Sequence, residues 1–118
     1  VENSPILFPE QTPALDYQAL YHKVKEQIDK DFHPFGTLTK APKQISSEWL
    51  FTELKNLIQR VIQQHPTGWT AVLYRIDIKE NKLQSELIGL SGDEKWNQLT
   101  LLILKREAQK VWIRQQFS

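Results

Sequence analysis

Along most of this chain apolar residues recur every three to four positions, the period of a helix with one buried face. Tyr17, Leu20, Tyr21, Val24 and Ile28 fall at i, i+3, i+4, i+7 and i+11 and predict an amphipathic helix over residues 14–32. Thr12 is its expected N-cap, with Pro13 in the first helical position and Asp16 near the positive end of the helix dipole. His33, Pro34 and Gly36 stop it, and a polar loop holding Lys40, Pro42 and Lys43 follows. Leu50, Leu54, Leu57, Ile58 and Val61, widened by Phe51 and Ile62, predict a second helix over residues 47–64. Ser47 is the expected N-cap, Glu48 sits in the first turn, and Pro66 and Gly68 close the helix. Two helices joined in this way most simply form an antiparallel pair.

Residues 69–90 satisfy two periods at once. Val72, Tyr74, Ile76 and Ile78 alternate as in a strand, whereas Trp69, Val72, Leu73 and Ile76 fit the helical i, i+3, i+4, i+7 template. A strand needs a partner, and the available one, residues 83–90, is rich in helix formers. Asp77 and Glu80 have capping-box spacing and Gly89 is placed as a helix stop. Two short helices, at about 68–76 and 78–88, are therefore the preferred reading. The last segment is clearer. Gly92 and Asp93 open a helix that continues to about residue 116, with Trp96, Leu99 and Ile103 on one side and Leu101, Leu104, Ala108 and Val111 on another. A helix apolar on two sides is central to its core or shared with a second copy.

The expected fold class is mostly α, a small helical bundle with a long C-terminal helix. Its alternative is an α+β fold with a hairpin at about 70–90 packed on three helices. Residues 1–13 read as an extended arm, since Pro5, Pro9 and Pro13 exclude a helix interior there, and residues 14–118 as one helical domain. Ile6, Leu7 and Phe8 make the arm apolar enough to dock on the domain or on a partner, against the alternative of a free tail.

Composition narrows the chemistry. With no cysteine there are no disulfides, thiol nucleophiles or cysteine-ligated metals, and the redox compartment cannot be read. No run approaches the ~18–20 apolar residues of a membrane-spanning helix. No membrane partner is expected, and the cytoplasm is the default compartment, although a removed signal peptide would leave no trace. The chain begins at Val1 rather than Met, which leaves a fragment of a longer protein among the readings. A net charge of +1 gives no strong argument for nucleic acid. Residues 1–32 are net acidic and residues 93–118 net basic.

Candidate catalytic groups are sparse. His33 and His65 stand at predicted helix ends, where a cation is favourable without any chemistry. His22 and Glu26, one turn apart, are too few to hold a metal. The stretch around Ser91 lacks the spacing of a nucleophile elbow and has no histidine after it. Glycine-rich phosphate loops are absent. Asp29 with Asp31, and Asp93 with Glu94, read as solvated surface. No catalytic residue, metal site or cofactor is assigned, and an enzyme is the least supported class.

The sharpest feature lies on the last helix, where Arg106, Lys110 and Arg114 are spaced four apart with Trp112 beside them. Such a stripe offers an acidic protein surface its charges, or phosphates its charges and Trp112 a stacking face. Against this, cations near a helix C-terminus complement the dipole, Glu107 dilutes the stripe, and acids of the first helix are available to pair with it. Trp69 and Trp96 read as core, while Trp49 and Trp112 are less firmly inward. The expected function is a protein–protein interaction or scaffold module, self-association through the last helix included, with Arg106, Lys110, Arg114 and Trp112 as its partner-binding residues. A nucleic-acid-binding protein using the basic C-terminal helix is the alternative.

Overall fold

The computed structural model describes residues 5–8 and 16–117. Among them five helices follow in chain order and no strand occurs: α1 (Tyr17–Phe32), α2 (Ser47–Gln64), α3 (Pro66–Ile76), α4 (Glu80–Leu87) and α5 (Gly92–Phe117). The helical reading of residues 69–90 holds and the hairpin alternative falls. Tyr74 shows why. A strand would send it inward with Val72 and Ile76, yet it is 87% exposed while both neighbours are fully buried.

Helix ends correct the sequence reading by small amounts. Asp16, not Thr12, caps α1, accepting a hydrogen bond from the Ala19 amide at 3.1 Å. The proposed cap at Thr12 and Pro13 lies outside the described residues. Ser46, one residue earlier than expected, caps α2 through the Trp49 amide at 3.0 Å, and Ser47 turns inward. Pro66 does not merely close α2; it occupies the start of α3, where its missing N–H costs nothing. Asp77 is a left-handed C-cap of α3 rather than the N-cap of α4. The box with Glu80 therefore does not form, and no side chain caps α4.

Helix α5 is the axis of the molecule. It packs against each of the other four helices, and its 26 residues, at ~1.5 Å each, run nearly the full 40 Å length of the fold. Leu99, Ile103, Leu104, Ala108 and Val111 are buried around it, against Val24, Ile28 and Phe32 of α1 and Leu50, Leu54, Leu57, Ile58 and Val61 of α2. Pairs between Lys23 and Gln115, and between Asp31 and Lys110, set α1 antiparallel to α5. The loop between α1 and α2 is less polar than it reads, because Leu38 and Ile45 are buried. Gln18 holds Ile45 by donating to its carbonyl at 2.7 Å and accepting from its amide at 2.8 Å, and the Leu38 amide donates to Asp29 at 2.8 Å.

Residues 5–8 lie across the bundle. Phe8 is 3% exposed, with its ring 6.0 Å from those of Tyr21 and Trp112. All four tryptophans are half-buried at the edge of the core.

Candidate functional site

The predicted basic stripe divides among three environments. Steps of four residues advance a helix by ~40° beyond a full turn, so Arg106, Lys110 and Arg114 drift by ~80° in all and meet different neighbours. Arg106 donates to Asp77 at 3.0 Å, to Gln109 at 2.8 Å and to the Ile76 carbonyl at 3.3 Å. Lys110 turns inward. Its ammonium reaches Asp31 at 2.6 Å and the Arg75 carbonyl at 3.0 Å, and its side chain is only 15% exposed. Arg114 is exposed and borders a cleft of about 350 Å³ with Lys23, Lys30 and Gln115. Trp112 packs on Phe8.

Lys110 belongs to a buried polar cluster that joins α1, α3 and α5. Asp31, read above as solvated, is 5% exposed and also accepts from Gln27 at 3.0 Å. Glu107 is wholly buried. Its Oε1 is 3.2 Å from Lys110 Nζ, yet neither carboxyl oxygen accepts a hydrogen bond. Burial and the neighbouring Asp31 carboxylate push the Glu107 carboxyl up to about 9, against the weaker pull of Lys110. Glu107 therefore keeps its proton at neutral pH. Burial alone would raise Asp31, but the protonated Glu107 beside it, with the hydrogen bonds from Lys110 and Gln27, outweighs it and holds that carboxyl below its usual range. One carboxylate, one carboxylic acid and one ammonium thus leave the cluster nearly neutral. With Asp31 and Glu107 buried, its geometry is that of a core junction.

Neither Asp31 nor Glu107 was singled out by the sequence as a core group, although a signal existed. Glu107 lies four residues after Ile103 and four before Val111, in line with the buried stripe.

A concave surface with an apolar floor lies on another side of α5. Ile78, Leu83 and Leu102 form the floor of a groove of about 630 Å³, with Ile6 and Leu7 of the arm as a wall. Lys79, Lys82, Lys105 and Arg106 stand around it, with Asp77 as the acidic member. Asp77 is already paired with Arg106. Among the described residues no ion pair engages Lys79, Lys82 or Lys105. A second cleft, of about 680 Å³, adjoins it past Ile6 and Lys105, with Phe51, Leu90 and Leu101 as its apolar members. The face of α5 that carries Leu102, Arg106 and Gln109 continues, at helical spacing, to Ile113 and Phe117, which are 45% and 86% exposed.

Among the described residues no group of three or more His, Asp or Glu could hold a metal ion, and no helix is long and apolar enough to cross a membrane. The chain matches no protein-family model, no curated protein and no solved structure.

Proposed function

We propose that this chain is a protein-interaction module that receives its partner in the groove beside α5. The observation that carries this reading is the apolar floor of that groove, Ile78, Leu83 and Leu102, edged by cations, with exposed Ile113 and Phe117 farther along the same helix beyond Arg106 and Gln109. Isolated exposed apolar residues are ordinary, but several in line with an apolar concavity are a recognition surface. Two members of the basic stripe, Arg106 and Lys110, are satisfied within the fold, which takes support from the nucleic-acid reading.

A photo-crosslinking residue at Gln109, in the groove, tests the proposal against the same residue at Gln63, exposed on α2. In source cells the Gln109 position should give a discrete protein adduct and the Gln63 position none. Equal labelling at both, or no adduct at Gln109, counts against the reading. Self-association through α5 is the second reading, favoured by Ile113 and Phe117 alone; sedimentation at rising concentration tests it.

A further inference from the structure

Resting on that reading, we infer that the partner segment is an acidic amphipathic helix, its apolar side on Leu83 and Leu102 and its carboxylates against Lys79, Lys82 and Lys105. Charge is the first ground. Among the described residues the groove is lined by four cations and one acid, and that acid is already paired with Arg106. Among the described residues the three ammonium groups have no ion-pair partner, and around an apolar floor they complement carboxylates flanking Leu or Phe anchors.

Backbone chemistry is the second ground. Among the described residues there is no sheet edge to which an extended peptide could add, so a peptide laid in this groove must satisfy its own N–H and C=O groups. A helix does so internally and presents side chains at i, i+3, i+4 and i+7. Leu102 on the floor, and Ile113 and Phe117 at helical spacing farther along α5 beyond Arg106 and Gln109, offer apolar anchor points for such a helix.

The same charges argue against a second copy of this chain as the occupant. A two-fold contact through this face would set Lys79, Lys82 and Lys105 of one molecule against those of the other. Like charges brought together in a desolvated contact are costly.

The test is selection of binders to the intact chain from a displayed library of helical peptides with randomised surface positions. Affinities are then measured for the intact chain and two variants. One carries Lys79→Glu, Lys82→Glu and Lys105→Glu; the other carries Ile113→Ser and Phe117→Ser. All five positions are exposed, and circular dichroism should show both variants folded. Enriched peptides should carry Asp or Glu beside Leu or Phe at i, i+4. They should lose about tenfold or more in affinity to the charge-reversed variant, and weaken from ~50 to ~500 mM salt.

Enriched peptides that are neutral or basic, bind the charge-reversed variant undiminished and fail on the serine variant overturn the acidic partner and leave the groove reading standing. Binders indifferent to both variants, or no enrichment, overturn both. A dimer in sedimentation lost in the serine variant, or methyl shifts at Leu83 and Leu102 with dodecanoate and no peptide, overturns the helix in favour of a second copy or an acyl chain.

Discussion

Glu107 occupies a core position of α5, and its proton makes that tolerable. A bare carboxylate there would face Asp31 with only one ammonium between them, which is why the carboxyl is raised to about 9. The unfolded chain releases this proton near the ordinary value of 4.5, whereas the folded chain keeps it until about 9. Between those values the unfolded state binds fewer protons, so stability falls as pH rises, by up to ~1.4 kcal/mol per unit. Asp31 has the opposite sign: its folded value is lowered, so its contribution is present above 3.8 and lost as pH falls through the folded value. As far as this cluster sets it, stability is greatest in mildly acidic solution. Urea midpoints from about pH 5 to about pH 8 should fall for the natural chain and stay nearly level for Glu107→Gln. An unchanged slope in that variant would show that Glu107 is not the group responsible. Lys110 gives a second prediction at this scale. Lys110→Met leaves the Asp31 carboxylate buried without its cation and should cost about 3–5 kcal/mol, whereas exposed Arg114→Met should stay within ~0.5 kcal/mol. Equal losses in urea denaturation would contradict the internal role of Lys110. Reversing Arg106, Lys110 and Arg114 together is for this reason a poor test of partner binding, since it adds a third carboxylate beside Asp31 and Glu107.

Elements follow from side-chain periods, and their ends follow from capping, which is the weaker signal. The stripes of α1, α2 and α5 were legible because each repeats over three or more turns. The strand–helix ambiguity over residues 69–78 was real, because Val72 and Ile76 satisfy both periods and only the direction of Tyr74 separates them. Adjacent Ser46 and Ser47 are chemically equal as caps, and packing of Ser47 decides between them. The groove was not legible at all: Ile6, Leu83 and Leu102 are far apart in sequence, and their meeting depends on how α4 and the arm pack on α5. Gly68 shows a contact of the same hidden kind. A Cβ there would lie 2.6 Å from the Phe35 ring, so the crossing between the loop and α3 is closed only by a hydrogen. Gly68→Ala gains about 1 kcal/mol of helix propensity, but crowding Phe35 costs about 1–3 kcal/mol and should prevail. A lowered melting temperature is expected. In a Phe35→Ala background the same change should become neutral or stabilising, and a loss of the same size there would refute the clash.

On the scale of the whole molecule, the firm part and the part proposed to recognise a partner are different. Helices α1, α2 and α5 share the buried apolar core, whereas α4 contributes Leu83 as its one buried residue, spans eight positions and lacks a side-chain cap. Gly89, at φ 81°, and Leu90 lead out of it, and Ile88 just beyond its end is 81% exposed. Short, sparsely buried helices open at free energies far below the global value, so α4 should exchange its amides fastest among the five helices while the middle of α5 exchanges most slowly. Since Leu83 and Lys82 of α4 form part of the groove, opening of α4 also dismantles the surface proposed to receive a partner. A bound acidic helix would hold α4 closed, and its binding free energy would appear as added protection there before it appears anywhere in α1 or α2. Hydrogen exchange read by mass spectrometry on the free chain and on the chain saturated with a selected peptide measures this. Protection gained across residues 78–88 and in the arm, with α2 unchanged, is the expected pattern. Protection gained first in α2 would place the partner away from the groove, and a free-state α4 as protected as α5 would mean that the groove is a rigid part of the core.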